Sequence, residues 1–267
     1  MWRAHGTPWK AQQTRRGPRV RSLLLQLAMA TTFDTYAARP TIALRHALPP
    51  RGLGREQAAR RLLNVVVSAA GLVLAFPLML LIAVLIKLTS RGPVLFTQTR
   101  IGLDRRSLSR AGGNTRRQID LGGRTFTMYK FRTMRISQPN GDRAVWAQPD
   151  DARVTPIGRV LRKHRLDELP QLFNVVRGDM NLVGPRPEQP VIFVQLREQI
   201  EGYQRRQRVR PGITGWAQIN QGYDSSIDDV RRKVSYDLDY IRRQSALEDL
   251  TIMLRTVPVM VFRRGGW

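Results

Sequence analysis

Asp167 and Glu168 are adjacent carboxylates, and their surroundings suit chemistry on a phosphate. A carboxylate can attack phosphorus as a nucleophile, and with its neighbour it can bind a hard divalent cation through oxygen. Arg162 precedes the pair, and Arg186 follows it. Basic side chains beside two carboxylates suit a phosphoanhydride substrate with a bound metal ion. The alternative is that Asp167 is an ordinary capping residue and that the arginines form a solvated surface.

Two local features are expected to position these side chains. Pro185 and Pro187 flank Arg186, and the following proline favours extended backbone at the arginine. Pro170 fits the first turn of a helix, where amides lack intrahelical partners. The sequence therefore predicts a helix with Asp167 as its N-cap, whose dipole keeps the carboxylate ionised. Apolar residues follow at helical spacing: Leu169, Leu172, Phe173 and Val176.

A second set of cations lies upstream, between Arg124 and Met134, where the sequence alternates as a strand does. Side chains of a strand repeat every second residue, so Lys130 and Arg132 share a face. Two cations on one face suit a phosphate or a nucleotide. A solvated basic edge strand is the alternative.

The run Leu62–Ile86 contains no charged residue, which is the length and composition that a membrane helix needs. Twelve Arg and Lys against two acids precede it, and the same numbers follow from Lys87 to Arg135. Because basic flanks favour the cytoplasmic side, a straight span would place one basic flank on the wrong side. Pro77 favours a bend midway, so a re-entrant hairpin is expected, with a proline-kinked span as the alternative.

Composition narrows the remaining classes of function. The chain of 267 residues has no cysteine, which excludes disulfides, thiolate metal sites and a thiol nucleophile. Its three histidines do not indicate a zinc centre. The formal net charge of +25 implies an anionic partner: nucleic acid, an anionic membrane surface or a phosphorylated substrate.

Three motifs together resemble the bacterial sugar transferases, the monotopic polyprenyl-phosphate phosphoglycosyl transferases. They are Met128–Met134, Asp151–Pro187 and Arg210–Gln218, in the family's order. The resemblance extends from about Arg60 to the C-terminus. One departure is Phe76, because the family often has serine before the proline of its membrane helix.

The resemblance implies transfer of a hexose 1-phosphate from a UDP-sugar to polyprenyl phosphate, with release of UMP. Asp167 would form a covalent phosphosugar intermediate, and Glu168 would help to hold Mg²⁺. Lys130, Arg162 and Arg186, with Pro185 and Pro187, would form the substrate site. Implied partners are the UDP-sugar, the polyprenyl phosphate and one leaflet of the bacterial inner membrane, with the catalytic domain on the cytoplasmic face. A homo-oligomer is possible, and no nucleic acid is expected.

The expected fold is α/β and mainly helical. It comprises a basic extension at residues 1–59, a re-entrant membrane helix at 60–88 and a catalytic domain at 89–267 with a surface insertion at 104–123. A helix is predicted from Pro190 to Glu201, and another, with an exposed charged face, over residues 228–243. Leu247–Phe262 predicts either a helix in the membrane interface or one packed on the core, with Arg255 and the C-terminal Trp267 favouring the interface.

Two other readings of the whole chain stay open at this point. A membrane-tethered nucleic-acid-binding protein would explain the charge and the basic N-terminus, but gives the carboxylate pair no purpose. An inactive scaffold of a glycan-assembly complex would tolerate Asp167→Asn without a measurable change.

Overall fold

In the computed structural model, which describes residues 53–104, 122–135, 151–222 and 226–261, the longest element is helix α1, Leu53–Thr89. The charge-free run forms most of it, and the helix continues through Pro77 rather than ending there. Most of the predicted N-terminal extension and of the insertion lies outside the described residues.

The N-terminal part of α1 is attached to the domain by polar contacts. Arg61 donates to the carbonyl oxygens of Val175 and Val176, each at 2.7 Å. Asn64 is buried and accepts a hydrogen bond from the Leu182 amide. The buried Arg60 forms an ion pair with Asp249, Nε to Oδ2 2.9 Å. These contacts hold the start of the helix against the domain that follows it in sequence.

The C-terminal part of α1 is attached to the same domain by apolar packing. Ile82 and Ile86 are buried in one cluster with Phe131 and Leu161. Between the two attachments, apolar side chains are exposed: Val73, Leu74, Phe76, Leu80 and Leu81. By length and composition, α1 alone among the described helices could cross a membrane. Only 11% of its most apolar 18-residue segment is buried by the rest of the protein.

Two antiparallel strands follow, β1 at Leu95–Ile101 and β2 at Thr125–Phe131. Their register places Phe96 opposite Lys130. The predicted strand over 124–134 is thereby confirmed. Arg132, just past β2, donates to the carbonyl oxygens of Ser90 and Arg91 at 2.8 Å, which joins the strand to the end of α1.

Helix α2, Pro156–Lys163, begins at a capping threonine, because Thr155 Oγ1 accepts from the Gly158 amide at 3.0 Å. A one-turn 3₁₀ helix, Leu166–Glu168, then carries the carboxylates, and helix α3, Gln171–Arg177, follows it. Gly158 allows α2 to approach Thr133 closely, since a Cβ there would lie 2.0 Å from the Thr133 carbonyl oxygen.

The rest of the domain surrounds a short parallel pair, β3 at Asn181–Val183 and β4 at Gly212–Thr214. Helix α4, Pro190–Gln199, and a second 3₁₀ helix, Tyr203–Arg208, connect the two strands. Three helices complete the described chain: α5 at Trp216–Asn220, α6 at Ile227–Arg243 and α7 at Ala246–Val261. The main core lies between β3, α3, α6 and α7 and includes Val175, Met180, Val183, Tyr240 and Ile252.

Helix α7 combines features of both interpretations that its sequence allowed. Ile252 and Asp249 are buried on one face. The opposite face exposes an apolar stripe of Leu247, Leu250, Leu254, Val257 and Met260. The predicted helices over 190–201 and 228–243 are confirmed as α4 and α6. The described chain is thus mainly helical, with two small sheets and one long apolar helix.

Candidate active site

The carboxylates lie in the 3₁₀ turn between α2 and α3. The prediction that Asp167 caps a helix is wrong, because α3 begins at Gln171 with Pro170 in the N-cap position and Asp167 lies inside the preceding turn. Arg165 enters this turn with φ 54°, the one non-glycine residue of positive φ in the described chain. Strained backbone of this kind persists where surrounding contacts fix it, often at functional sites.

One carboxylate oxygen of Glu168 is bound by two cations. Lys130 Nζ and Arg186 Nη2 both donate to Glu168 Oε1, each at 2.8 Å. Burial on its own raises the pKa of Glu168, but the charges and hydrogen bonds of Arg186 and Lys130 outweigh it and hold that pKa well below its usual range. Glu168 is therefore an ionised anchor that fixes both cations.

Asp167 differs from its neighbour although both are buried, at 8% and 7% exposure. It accepts no hydrogen bond from any described residue, and its nearest cation is Lys130, Nζ to Oδ2 3.8 Å. Burial raises the pKa of Asp167, while Lys130 opposes that shift. The helix-dipole explanation for an ionised Asp167 is wrong. Its oxygens have unshared lone pairs in a site of low water access, which suits a nucleophile.

The strand that carries Lys130 is fixed by hydrogen bonds between its backbone and the Asn174 side chain. Asn174, fully buried in α3, accepts from the Tyr129 amide at 3.1 Å and donates to the Thr127 carbonyl oxygen at 2.7 Å. Both contacts are on β2, so they fix that strand, and with it Lys130, relative to the turn that carries Glu168.

The other two upstream cations lie elsewhere. Arg162 donates to Thr133 Oγ1 at 2.9 Å and forms no ion pair with either carboxylate among the described contacts, although its charge lowers the pKa of Asp167 slightly. Arg132 is buried and anchors the end of α1 instead. The structure brings together Asp167, Glu168, Lys130 and Arg186, with Arg162 at the edge.

The segment Gly184–Glu188, which we call the arginine loop, is held at four successive carbonyl oxygens. Pro185 O accepts from the Gly212 amide at 2.9 Å and Arg186 O from Arg206 Nη2 at 3.2 Å. Pro187 O accepts from Arg100 Nη1 at 3.0 Å, and Glu188 O from the Ile101 amide at 3.0 Å. The loop is therefore fixed before a substrate arrives, and so is the origin of the Arg186 side chain.

Sequence reasoning missed Arg206 and Arg100. Arg206 is 2% exposed and pairs with the equally buried Asp237 of α6, Nε to Oδ2 2.7 Å. Arg206 Nη1 donates to Tyr203 Oη at 2.8 Å. The arginine partners lie 20 to 87 residues away along the chain, so no local pattern marks them. Arg206 stands in a run of basic and polar residues and Arg100 in a strand, so neither is set apart by its immediate neighbours.

A cleft with a volume of about 140 Å³ is lined in part by Glu168 and Arg165. The rest of its lining comes from Leu169, α3, β4, α5 and the last turns of α7. Glu168 therefore belongs to two surroundings. On the charged side it contacts Lys130 and Arg186 of the arginine loop, and on the other side it lines this cleft.

The carboxylate pair also offers oxygen ligands of the kind that Mg²⁺ prefers. Both oxygens of Asp167 and Oε2 of Glu168 accept no hydrogen bond from the described residues. Within those residues no group of three or more His, Asp or Glu could hold a metal ion. The residues fit an ion that takes one or two carboxylates and completes its coordination with water and substrate phosphates, which is how Mg²⁺ is commonly bound.

The chain is similar to a family of known proteins. A family model described as "Bacterial sugar transferase" matches residues 55–263. The chain is 43% identical over 208 residues to the UDP-N-acetylgalactosamine-undecaprenyl-phosphate N-acetylgalactosaminephosphotransferase of Aeromonas hydrophila, covering 78% of this chain and 44% of that protein. It is 36% identical over 266 residues to the UDP-glucose:undecaprenyl-phosphate glucose-1-phosphate transferase of Escherichia coli K12, covering 92% of this chain and 53% of that protein.

A protein of the same name from Caulobacter vibrioides is 42% identical over 204 residues, which is 76% of this chain and 69% of that protein. The chain thus spans about half the length of the first two relatives and a larger share of the third.

Proposed function

Since the chain belongs to the bacterial sugar transferase family, we propose that it transfers a hexose 1-phosphate from a UDP-sugar to undecaprenyl phosphate and releases UMP. The product, an undecaprenyl-diphosphate sugar, would be the first lipid-linked intermediate of a surface glycan. The observation that carries the proposal is the contrast within the carboxylate pair. Glu168 is bound through Oε1 by Lys130 and Arg186, whereas Asp167 beside it accepts no described hydrogen bond.

In the first step, a carboxylate oxygen of Asp167 attacks the phosphorus that bears the sugar. The bond between that phosphorus and the bridging oxygen breaks, and UMP leaves with the bonding electron pair. Lys130 and Arg186 stabilise the negative charge on the phosphate oxygens. Arg162, within electrostatic reach of Asp167, adds positive charge at the edge of the site.

In the second step, a phosphate oxygen of undecaprenyl phosphate attacks the same phosphorus. The acyl phosphate bond to Asp167 breaks, the carboxylate is restored, and the diphosphate product leaves. Two displacements at one phosphorus give ping-pong kinetics.

Glu168, whose Oε2 accepts no described hydrogen bond, is the residue that would hold Mg²⁺. A divalent cation held there would neutralise diphosphate oxygens and so favour departure of UMP. Lys130 and Arg186 fix the orientation of the Glu168 side chain by engaging its Oε1.

We further propose that α1 enters and leaves the cytoplasmic leaflet of the inner membrane from one side. Its two ends support this, because both contact the same domain. Arg61 binds the carbonyl oxygens at the end of α3, and Ile86 packs on Phe131 of β2. A domain attached to both ends of a membrane helix is most simply placed on one side of the bilayer.

The covalent intermediate provides the test of function. Protein incubated with a UDP-sugar and Mg²⁺ but no lipid should release UMP once per active site and gain the mass of one hexose phosphate. Asp167→Asn should show neither result, whereas the control Asp228→Asn, an exposed carboxylate on α6, should behave as the wild type. A wild-type protein that turns over without ever carrying the phosphosugar would exclude the two-step scheme.

Cysteine labelling tests the topology, since the chain has no native cysteine. Gln57→Cys and Arg91→Cys are exposed positions before and after the apolar run. Both should react with an impermeant maleimide from the cytoplasmic side only. Leu74→Cys, in the exposed middle of α1, should be protected in membranes. Labelling of the two flanks from opposite sides would establish a spanning helix.

A further inference from the structure

We propose that the cleft beside Glu168 binds the first isoprene units of the acceptor lipid. This inference rests on the proposed function and adds to it the place where the apolar chain of the acceptor lies.

The walls of the cleft are apolar. Six side chains line it: Leu169, Leu172, Ile213, Ile219, Val259 and Met260. Two of its polar groups are engaged by their own neighbours, and Gln218 is engaged through its amide nitrogen. Thr214 and Thr256 share a hydrogen bond of 2.8 Å between their hydroxyl oxygens, and Gln218 donates its amide to the Ile213 carbonyl oxygen at 2.9 Å. Gln218 Oε1 is buried and accepts no described hydrogen bond, and the rest of these walls offers mainly apolar contact to a ligand.

The cleft also lies on the side of the domain that carries α1. Leu172 packs directly on the backbone of α1 at Gly71, where a Cβ would be only 3.3 Å from Leu172 Cδ1. Gly71 is in the charge-free run of that helix. Met260 belongs both to the cleft and to the exposed apolar stripe of α7. The cleft is therefore continuous with the apolar surfaces that would face lipid.

Size and position select the lipid chain over the nucleotide. A volume of about 140 Å³ is smaller than the roughly 300 Å³ at which sites for drug-sized ligands begin, so a narrow chain suits it better than a nucleoside diphosphate sugar. Glu168 and Arg165 are the charged residues of its lining. In an isoprenoid phosphate the phosphate adjoins the first isoprene unit, so a chain in the cleft places the phosphate beside the carboxylate pair.

A variant that narrows the cleft separates the two half-reactions. Val259→Trp should raise the KM for undecaprenyl phosphate about tenfold, the loss of roughly 1.4 kcal/mol of binding. The burst of UMP from the UDP-sugar alone should change less than twofold. The matched control is Val257→Trp, on the exposed stripe of the same helix and outside the cleft lining, which should leave both quantities as in the wild type.

The wild-type protein supplies a second measurement that does not depend on how the variant folds. An isoprenoid phosphate with a photoreactive diazirine on its first isoprene unit should label peptides containing Leu169–Leu172 or Val259–Met260. Labelling confined to Leu247–Leu254, on the outer stripe, would overturn the inference.

The outcomes distinguish this inference from the proposed function. A normal burst of UMP with an unchanged acceptor KM in Val259→Trp overturns the cleft assignment alone. Loss of the burst in a folded Val259→Trp protein also overturns it, because the cleft would then serve the donor. Absence of any burst from the wild type with every UDP-sugar overturns the proposed function and this inference with it.

Discussion

The two sides of the carboxylate pair are built in opposite ways. On the charged side, four successive carbonyl oxygens of the arginine loop are bonded, and the buried Arg206–Asp237 pair supports them. On the cleft side, the walls are apolar side chains from four elements, several of them partly exposed. The fixed charged side suits the proposed nucleotide-sugar donor, whose phosphates need positioned hydrogen-bond donors. The apolar cleft suits the proposed isoprenoid chain, which needs apolar contact.

Asp167→Asn is expected to give the largest effect, because it removes the proposed nucleophile between the two sides. UMP release should fall about 10³-fold or more. Burial raises the pKa of Asp167, so at neutral pH its ionised form costs folding free energy, and the neutral amide removes that cost. The unfolding temperature should therefore rise, by roughly 2–4 °C per kcal/mol recovered. A stabilised variant with full UMP release would show that Asp167 is not the nucleophile.

Arg206→Leu tests the charged side alone. It leaves Asp237 buried without its partner, which should cost about 3–5 kcal/mol of folding stability. The double variant Arg206→Leu with Asp237→Leu should recover most of this stability but not the contact to Arg186 O. In the double variant we expect kcat for UMP release to remain about 10²-fold low, because Arg186 is no longer positioned. Recovery of kcat together with stability would make the pair structural only.

Gly212→Ala tests the point where the two sides meet. The Gly212 amide binds Pro185 O of the arginine loop, and the next residue, Ile213, lines the cleft. A Cβ on Gly212 would lie 2.1 Å from the Gly184 nitrogen, so the backbones must separate at a cost of about 1–3 kcal/mol. Both half-reactions should slow together. Gly222→Ala is the control, since nothing lies within 4 Å of its Cβ position.

Glu168→Gln should give the smallest change in stability, with a distinct dependence on pH. The pKa of Glu168 is depressed in the folded protein, so its contribution is fully present above the unfolded value near 4.5 and is lost as pH falls towards the folded pKa. Its partners Lys130 and Arg186 are partly exposed, so the cost at neutral pH should be about 1–2 kcal/mol. Chemical denaturation of metal-free protein at pH 7 and pH 3.5 should show the two proteins converge at acid pH. A gap that widens at acid pH would contradict this account.

The sequence predicted those parts of the molecule that local patterns encode. The alternation around Lys130 gives β2, and the charge-free run gives α1. The motif resemblance named Asp167, Glu168, Lys130 and Arg186, which the fold places together, and their catalytic roles stay predictions. The substrate-site role of Arg162, Pro185 and Pro187 is likewise a prediction.

What the sequence did not predict depends on contacts between distant segments. Asp167 was expected to cap a helix, but Pro170 occupies the cap and the carboxylates enter a separate 3₁₀ turn. Arg206 and Arg100 act on the arginine loop through side chains that reach across the domain, and Asn174 holds β2 in the same way. Local sequence patterns do not show contacts between residues that are far apart in the chain.

The packing of Ile86 on Phe131 has a mechanical consequence for the proposed membrane enzyme. Phe131 adjoins Lys130, so this apolar cluster connects the last turns of α1 to the cation that we propose binds phosphate. Bilayers of different hydrocarbon thickness would then shift the catalytic centre together with its anchor. The distance from the reacting carboxylate to the lipid headgroups is accordingly set by the protein, and activity in thin and thick vesicles should depend on how well α1 fits the bilayer.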